Sequence, residues 1–466
     1  MITMATWEAA FSVSITGLVN GGTAGLIWMF FITWMGFILV NTSMAEMGSM
    51  APTSGGQYHW VSEFAPRQHQ KFLSYVMGWI CVLGWQASCA STAYISGTMI
   101  QGLIVLNNLD TYVPERWHGT LLTMAVAAFS VVFNTAFARK LPLFEGIVLI
   151  IHIWAFIGIL VALWVLSPTA DAKSVFTTFT DGSGWGNTGG STLIGISAAV
   201  LTFFGADAAA HMSEELKDAS KTVPRAMIST TVVNGLMGWV IVITFCFCIG
   251  DTLAEIVDSP TGFPFIEVFY KATGTVGGAT GMTVFIVAMN ISANLAGVAT
   301  ASRQMYAFAR DGGLPGGPWL AHVSPTWNLP FNSIFVTFIT TSLLSLINIG
   351  SVTAFNSITS LATNAYLTSY IVSIGCMIWR RGTGSPLLPS KFNLGKWGLP
   401  VYLAAELFLV SAFVLCFFPM SPNPGAEAMN YNIVIYGGVV IFSMIYYAFQ
   451  GRHQYDGPVE YVRKLE

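Results

Sequence analysis

Charged side chains are scarce in this sequence. Asp, Glu, Lys and Arg together make up 9% of its 466 residues, whereas about 25% is usual in a soluble domain. Hydrophobic residues account for 54%, and the mean hydropathy is +0.64. So little charge cannot cover a water-exposed surface. The composition therefore excludes an ordinary soluble protein and favours one embedded in a lipid bilayer.

Cysteine and histidine are also few, with six and seven residues. Every cysteine falls within an apolar run, so no disulfide framework is available to the loops. The histidines are dispersed, and no nucleophile with a base or His/Asp/Glu metal cluster is recognisable. A nucleotide-binding motif is lacking as well. These absences argue against an enzyme, against ATP-driven transport, and against a metal or other cofactor.

Long apolar runs dominate the chain instead. A membrane-spanning helix needs about 20 apolar residues, and twelve segments qualify, the first of them short. The start of the chain lacks the basic residues of a signal peptide, and Glu8 lies where an apolar region would be. The predicted spans are residues 1–19, 23–49, 72–105, 119–137, 144–166, 191–212, 227–250, 277–306, 329–349, 352–380, 398–418 and 431–450.

Lysine and arginine fall mainly on one side of these spans. If residues 20–22 are external, 16 of the 19 cations face the cytoplasm, as the positive-inside rule requires. The exceptions are Arg116, Lys173 and Lys271. We therefore expect a multi-pass membrane protein with a cytoplasmic C-terminus. The plasma membrane is the expected location, with the vacuolar membrane as the open alternative.

Two apolar segments each contain a carboxylate beside residues that interrupt a helix. Glu8 lies in residues 5–10, ATWEAA, and Asp207 in residues 204–210, FGADAAA. A charge at the bilayer centre costs at least ~2.5–3.5 kcal/mol, so such residues mark functional sites. Interrupted helices in matching positions of two halves point to the substrate site of a secondary transporter. We predict that the two segments form that site.

The predicted substrate contacts come from both breaks: Thr6, Trp7, Glu8, Phe203, Phe204, Gly205, Ala206 and Asp207. Backbone N–H groups at the breaks suit a substrate carboxylate, and carbonyls with either acid suit an ammonium. The alternative is that both acids only satisfy freed backbone N–H groups. Aromatic residues near the breaks, with Trp85, either form a box for a cationic head group or simply pack.

Three loop motifs carry a resemblance to a known family. They are residues 45–58, AEMGSMAPTSGGQY; residues 214–226, which begin Glu214-Glu215 and end Pro224-Arg225-Ala226; and residues 309–315, ARDGGLP. In this order and spacing they resemble the amino acid–polyamine–organocation (APC) superfamily. The stretches around Glu8 and Asp207 resemble the fungal amino acid, GABA and choline permeases. The similarity covers essentially the whole chain.

The resemblance implies an all-α polytopic membrane protein with a LeuT-like fold of two inverted five-span repeats plus two extra helices. Residues 1–166 would form the first repeat and 191–380 the second, with extra spans in 398–450 and a cytoplasmic tail in 451–466. Family members carry a tail and a half-helix before the segment that corresponds to residues 6–8. The first helix is therefore expected to be truncated.

The resemblance also implies a function: uptake of an amino acid, GABA or a choline-like amine by proton-coupled symport. His152 lies at a place similar to one where several APC transporters carry a lysine in an ion site. A histidine there titrates during transport, or it is only a packing residue. Loop residues Glu214, Glu215, Arg225 and Arg310 either latch the inner side through ion pairs or only set topology.

Two other classes of protein compete with a transporter. A polytopic membrane enzyme would need a catalytic cluster that the dispersed histidines do not offer. A non-transporting nutrient receptor usually has a long cytoplasmic domain, and here the sequence ends soon after Arg452. The expected partners are a small amine or amino acid, a co-transported proton and the lipid bilayer, but not nucleic acid.

Overall fold

The computed structural model describes residues 4–425, 429–455, 457 and 458. Over these residues the chain is helical and contains no β-strand, and ten helices are long and apolar enough to cross a membrane. The expected all-α polytopic fold is confirmed. The ten long helices are Ser14–Met50, Gln70–Asn107, Arg116–Ala136, Leu141–Leu166, Ala219–Ile249, Val276–Arg310, Phe331–Gly350, Val352–Gly382, Gly398–Leu415 and Asn432–Tyr446.

Short helices connect or interrupt the long ones. Four of them, Thr6–Ser12, Thr188–Ile194, Ile196–Leu201 and Ala208–His211, belong to the first and sixth predicted spans. Five others lie in the connections: Gln57–Phe64, Ala172–Thr177, Leu253–Val257, Pro264–Thr273 and Gly317–Leu320. The last, Arg452–Gln454, lies in the tail. The other ten predicted spans each fall on one long helix. The twelve predicted spans therefore correspond to ten long helices and to two spans, the first and the sixth, that contain short helices.

The first two spans share the helix Ser14–Met50, which is interrupted at Gly22. Gly22 has φ 66°, a backbone conformation that L side chains rarely adopt. A Cβ atom at this position would lie 2.6 Å from Oγ1 of Thr180, so the close approach also requires glycine. Glycine therefore lets the first span end and the second begin without an intervening loop.

The first and sixth spans are irregular near the predicted breaks. Ala5, with φ 38°, precedes the helix Thr6–Ser12, and Val13 separates that helix from the next. Glu8 therefore lies in a helical turn just after the break. In the sixth span the helix ends at Leu201, and Gly205 has φ 101° before helix Ala208–His211 begins. Asp207 lies at the end of this break.

Helices five spans apart pack against each other. The second span packs on the seventh, the third on the eighth, and the fourth on the ninth. Two inverted repeats would produce these pairings, so they support the predicted division at 1–166 and 191–380, which remains a prediction. The eleventh span packs on the tenth and on the second, and the twelfth has few buried residues.

Parts of three predicted segments lie outside the described residues. These are residues 1–3 of the first span, residues 426–428 in the segment 398–450, and residues 456 and 459–466 of the tail. Within the tail, Arg452–Gln454 forms a helical turn and Tyr455 is fully buried.

Candidate functional site

A cavity of about 90 Å³ lies between the two broken spans. Helices of the first, third, sixth, eighth and tenth spans contribute to its wall. Its polar lining residues are Ser12, Ser88, Ser91, Thr92, Asn290 and Asn294, and its aromatic ones are Trp85, Phe204 and Tyr366. Among the described residues, no charged side chain lines it. The cavity therefore offers neutral hydrogen-bonding groups and backbone dipoles.

A larger cavity of about 740 Å³ adjoins the central one. The two share the lining residues Ser12, Val13, Ile95 and Leu201. The larger cavity is bordered by residues of the connections that the sequence predicts to be external, including Pro114, Pro260–Phe263 and Phe418–Ser421. It therefore forms a vestibule between the central cavity and that face of the protein.

Only part of the predicted substrate site reaches the central cavity. Phe204 and Gly205 line it, whereas Thr6, Trp7, Glu8, Phe203, Ala206 and Asp207 do not, although all six are buried. The aromatic residues near the breaks divide into two groups. Trp7 packs against His152 and Phe156, and Phe203 packs against Phe30 and Phe37. Trp85 and Phe204 line the cavity and both pack against Tyr366.

Glu8 and His152 form a buried pair behind the cavity wall. Nδ1 of His152 lies 2.6 Å from Oε1 of Glu8, and each residue is at most 1% exposed. The other ring nitrogen lies 3.3 Å from Oδ1 of Asn234. The indole N–H of Trp7 points at Nδ1 from 3.2 Å. The contact between Nδ1 and Oε1 is within hydrogen-bond distance, and which of the two groups donates depends on where the hydrogen lies.

Asp207 is held by a side chain of the inner loop. Its Oδ2 accepts a hydrogen bond of 2.7 Å from Nε2 of Gln57 and lies 3.9 Å from Nε2 of His211. No side-chain hydrogen bond from Asp207 caps the helix Ala208–His211. The structure thus gives Asp207 a side-chain partner in place of the freed backbone N–H groups that the alternative interpretation requires.

Ion pairs close the inner ends of the sixth and eighth spans. We call Ser54, Glu214, Glu215, Arg303 and Arg310 the inner-face cluster. Oε1 of Glu214 accepts from the backbone N–H of Ser54 at 3.2 Å and from its hydroxyl. Oε2 of Glu214 lies 3.6 Å from Arg310, and Glu215 pairs with Arg303.

The cluster brings together three of the four predicted loop residues, Glu214, Glu215 and Arg310, and leaves Arg225 apart from them. Arg225 is exposed on the helix Ala219–Ile249 and pairs with neither glutamate in the described part of the chain. Burial opposes ionisation of Glu214, but the Ser54 hydrogen bonds and the Arg310 charge outweigh it and lower its pKa. Glu214 is therefore an ionised partner of Arg310.

Several polar residues, two of them beside the site and two in other parts of the bundle, are not predicted from the sequence. Ser54 and Gln57 belong to a recognised loop motif, but that motif indicates only a turn. Glu46, in the same motif, is fully buried and accepts from Arg381 at 2.6 and 2.7 Å. Glu406 is a further acid within a span, detectable by the rule that singled out Glu8. Within the described residues, no group of His, Cys, Asp or Glu is arranged to hold a metal ion.

Comparisons with known proteins agree with this architecture. The amino acid permease family model matches residues 2–440. A putative amino acid/polyamine transporter of Macrophomina phaseolina is 34% identical, covering 91% of this chain and 94% of that protein. Amino-acid permease BAT1 of Arabidopsis thaliana is 31% identical, with coverages of 95% and 88%. The choline transporter of Saccharomyces cerevisiae is 26% identical, with coverages of 96% and 79%.

Proposed function

Because this chain belongs to the amino acid permease family, we propose that it carries a small zwitterionic amino acid or a related amine through the central cavity. The resemblance noted in the sequence is confirmed. The relatives are permeases and transporters, so the protein is a multi-pass membrane transporter and not an enzyme. The observation that carries the substrate proposal is the neutral lining of the cavity between the two breaks.

A neutral lining favours a substrate whose own charges cancel. An unpaired charge is costly to transfer from water into a buried site, and this cavity has no lining countercharge among the described residues. Choline carries a permanent positive charge and would need a carboxylate in contact. Asp207 does not line the cavity and is already bonded to Gln57. A zwitterion such as a neutral amino acid or GABA is therefore the better candidate.

The first break offers backbone donors for a substrate carboxylate. The amide of Ala9 donates to the carbonyl of Ala5 at 2.8 Å and closes the first turn of the helix Thr6–Ser12. The amides of Thr6, Trp7 and Glu8 come before that bond and have no partner within the helix. None of these residues lines the cavity in the conformation described, so we propose that a bound carboxylate reaches their amides past Ala5. Ala5 lines the cavity. The irregular backbone at Gly205 lies across the cavity and supports a proposed site for the ammonium group.

We assign proton coupling to the Glu8–His152 pair. Their contact of 2.6 Å allows a proton to be held between an imidazole and a carboxyl group. Glu8 is also one turn from Ala5, which lines the cavity. Proton binding at the pair therefore acts on the helix that carries the proposed carboxylate donors. This arrangement supports symport of substrate and proton.

The conformation supports uptake into the cell. The vestibule lies on the face that the cation distribution predicts to be external, while the inner-face cluster closes the other face. We therefore propose that the chain lies in the plasma membrane with a cytoplasmic C-terminus, and that the conformation described here is the one that accepts external substrate.

Uptake into proteoliposomes in sodium-free buffer tests the proposal. Labelled neutral amino acids, GABA and choline would be compared with and without an imposed inward proton gradient. We expect accumulation of at least one zwitterion, driven by the gradient and absent from protein-free vesicles. Uptake of choline alone would contradict the zwitterion proposal, and strict dependence on sodium would contradict proton coupling.

A further inference from the structure

Trp85 connects the central cavity with residues near the inner face. Its indole lines the cavity, and its Nε1–H donates to Nε2 of His211 at 3.1 Å. The two rings meet edge to face with their centroids 5.4 Å apart. Trp85 also packs edge to face against Tyr366, another lining residue. A substrate that contacts this wall therefore contacts the partner of His211.

His211 is bonded through both ring nitrogens. Its Nδ1 lies 2.9 Å from the carbonyl oxygen of Ser54. A carbonyl only accepts, so Nδ1 carries the hydrogen, and Nε2 accepts from Trp85. These two bonds define a neutral imidazole that is fully buried. If Trp85 moves, one buried nitrogen loses its partner, which gives the ring a reason to move as well.

Ser54 carries the connection to the inner-face cluster. The same residue that accepts from His211 through its carbonyl donates to Glu214 through its N–H and its hydroxyl. Glu214 in turn pairs with Arg310 at the end of the eighth span. Hydrogen bonds and one ion pair therefore run without interruption from the cavity wall to the contact between the sixth and eighth spans.

The loop that contains Ser54 fits closely against the sixth span. Gly56 has φ 57°, and a Cβ atom there would lie 2.6 Å from Cε1 of His211. The next residue, Gln57, donates to Asp207 at 2.7 Å. Asp207 and His211 are one turn apart on the same short segment. The loop is therefore held at two points to the segment that follows the break. A shift of that segment is transmitted to the loop.

We propose that Trp85, His211 and Ser54 form a relay through which occupancy of the central cavity controls the inner-face cluster. The inference rests on the proposed transport through that cavity and adds its regulation. Substrate that displaces the Trp85 indole frees His211, loosens the Ser54 loop and weakens the hold on Glu214. The inner face then opens only when the cavity is occupied. His211 is a positioning residue in this relay and does not contact the substrate.

The chain contains a natural reporter for opening of the inner face. Cys81, Trp85 and Cys89 are spaced four residues apart and share one face of the helix Gln70–Asn107. Cys89 lines the cavity, whereas Cys81 lies about two turns closer to the inner end, near Asp207, and is 3% exposed. Opening of the inner face would expose Cys81 to a reagent from the cytoplasmic side.

The experiment uses a parent protein in which Cys246, Cys248, Cys376 and Cys416 are replaced by serine. Cys89, which lines the cavity, is kept, and labelling of Cys81 is read on its own peptide by mass spectrometry. Inside-out vesicles are treated with a membrane-impermeant maleimide, with or without amino acids from the uptake panel in the lumen. We compare the parent with Trp85→Phe and Ser54→Ala, which act at opposite ends of the relay. Trp34→Phe is the matched control, since its buried indole N–H donates to Thr231, away from the relay.

In the parent and in Trp34→Phe, we expect slow labelling of Cys81 that a transported substrate accelerates. In both relay variants, labelling without substrate should rise about fivefold, as expected from the loss of one net hydrogen bond. The further effect of substrate should then be small. Thermal unfolding midpoints identify a variant that does not fold. If one relay variant fails to fold, the labelling of the other one tests the relay.

Two different failures are distinguishable. Relay variants that label as slowly as the parent without substrate, and respond to substrate as the parent does, would overturn the relay. If the parent takes up no compound of the panel, the transport proposal fails. The difference in labelling without substrate between the parent and the relay variants still decides whether the relay holds the inner face closed.

Discussion

Nδ1 of His152 and Oε1 of Glu8 lie 2.6 Å apart, although 144 residues separate the two in the sequence. The sequence points to the two for separate reasons, to Glu8 as an acid within a span and to His152 by its position in the fifth span. Their contact turns two unrelated predictions into one candidate proton site. Neither residue lines the central cavity, so proton and substrate are expected to bind at adjacent places and to communicate through the helix Thr6–Ser12.

Substitution of either member of this pair should separate proton coupling from substrate binding. In Glu8→Gln and His152→Gln, accumulation driven by a proton gradient should fall by about 5- to 150-fold, the usual range of coupling free energies. Exchange of internal for external substrate should persist because the cavity lining is unchanged. Measurement of both activities in proteoliposomes, with the exposed His322→Gln as control, tests this. Equal loss of exchange would assign the pair to substrate binding.

Substitution of Asp207 should affect the maximal rate more than the apparent affinity. Asp207 bonds to Gln57 and does not line the cavity, so Asp207→Asn weakens a contact of the inner loop and removes no lining group. We expect a lower maximal uptake rate with a KM within about twofold of the parent value. Initial rates over a range of substrate concentrations provide the measurement. A KM raised about tenfold or more would show that Asp207 holds the substrate ammonium directly.

The backbone at the sixth-span break should require glycine. Gly205 has φ 101°, where a side chain costs about 1–2 kcal/mol. Gly205→Ala should therefore destabilise the protein or change the break, and should reduce uptake. Gly277→Ala is the control, because a Cβ there meets no atom within 4 Å and its φ is ordinary. Thermal unfolding and uptake of the two variants would be compared, and equal behaviour would argue against a constrained break.

The buried ion pair between Glu46 and Arg381 should be important for stability. Glu46 is fully buried and also accepts from the hydroxyl of Tyr402 at 2.9 Å. Arg381→Met leaves that carboxylate without its cation and should cost about 3–5 kcal/mol. Arg225→Met removes an exposed arginine and should change stability by no more than about 0.5 kcal/mol. Denaturation in detergent measures the stability of both variants. Similar unfolding midpoints would contradict a stabilising role for the ion pair between Glu46 and Arg381.

The inner-face cluster should not contribute to pH dependence near neutrality. The pKa of Glu214 is lowered by Ser54 and Arg310 despite burial, so its ion pair stabilises closure above its ordinary pKa. That stabilisation is lost only as the pH falls through the lowered value. Glu214→Gln should therefore increase labelling of Cys81 without altering the shape of the uptake profile between about pH 5 and 8, where histidine titrates. A changed profile would place a coupling proton at the cluster.

The sequence by itself determined the class of protein and the positions of its spans. A span can be recognised from about 20 consecutive residues. Its side chains must be apolar along that whole length, and its backbone groups bond to each other within the helix. Short stretches of sequence also indicate the breaks, because a glycine such as Gly205 and an acid such as Asp207 both disfavour an uninterrupted helix in lipid. The loop motifs identified the family because their order along the chain needs no knowledge of contacts.

Only the tertiary structure decided which side chains meet. The rotation of each helix about its axis, set by packing, brings Glu8 to His152 and Asp207 to Gln57, and leaves both acids out of the cavity wall. The partners of Glu214 and Glu215 come from the eighth span, nearly a hundred residues away, and they include Arg310 but not the nearby Arg225. Proximity along the chain indicates such partners poorly, because a bundle of long helices places its closest neighbours far apart in sequence.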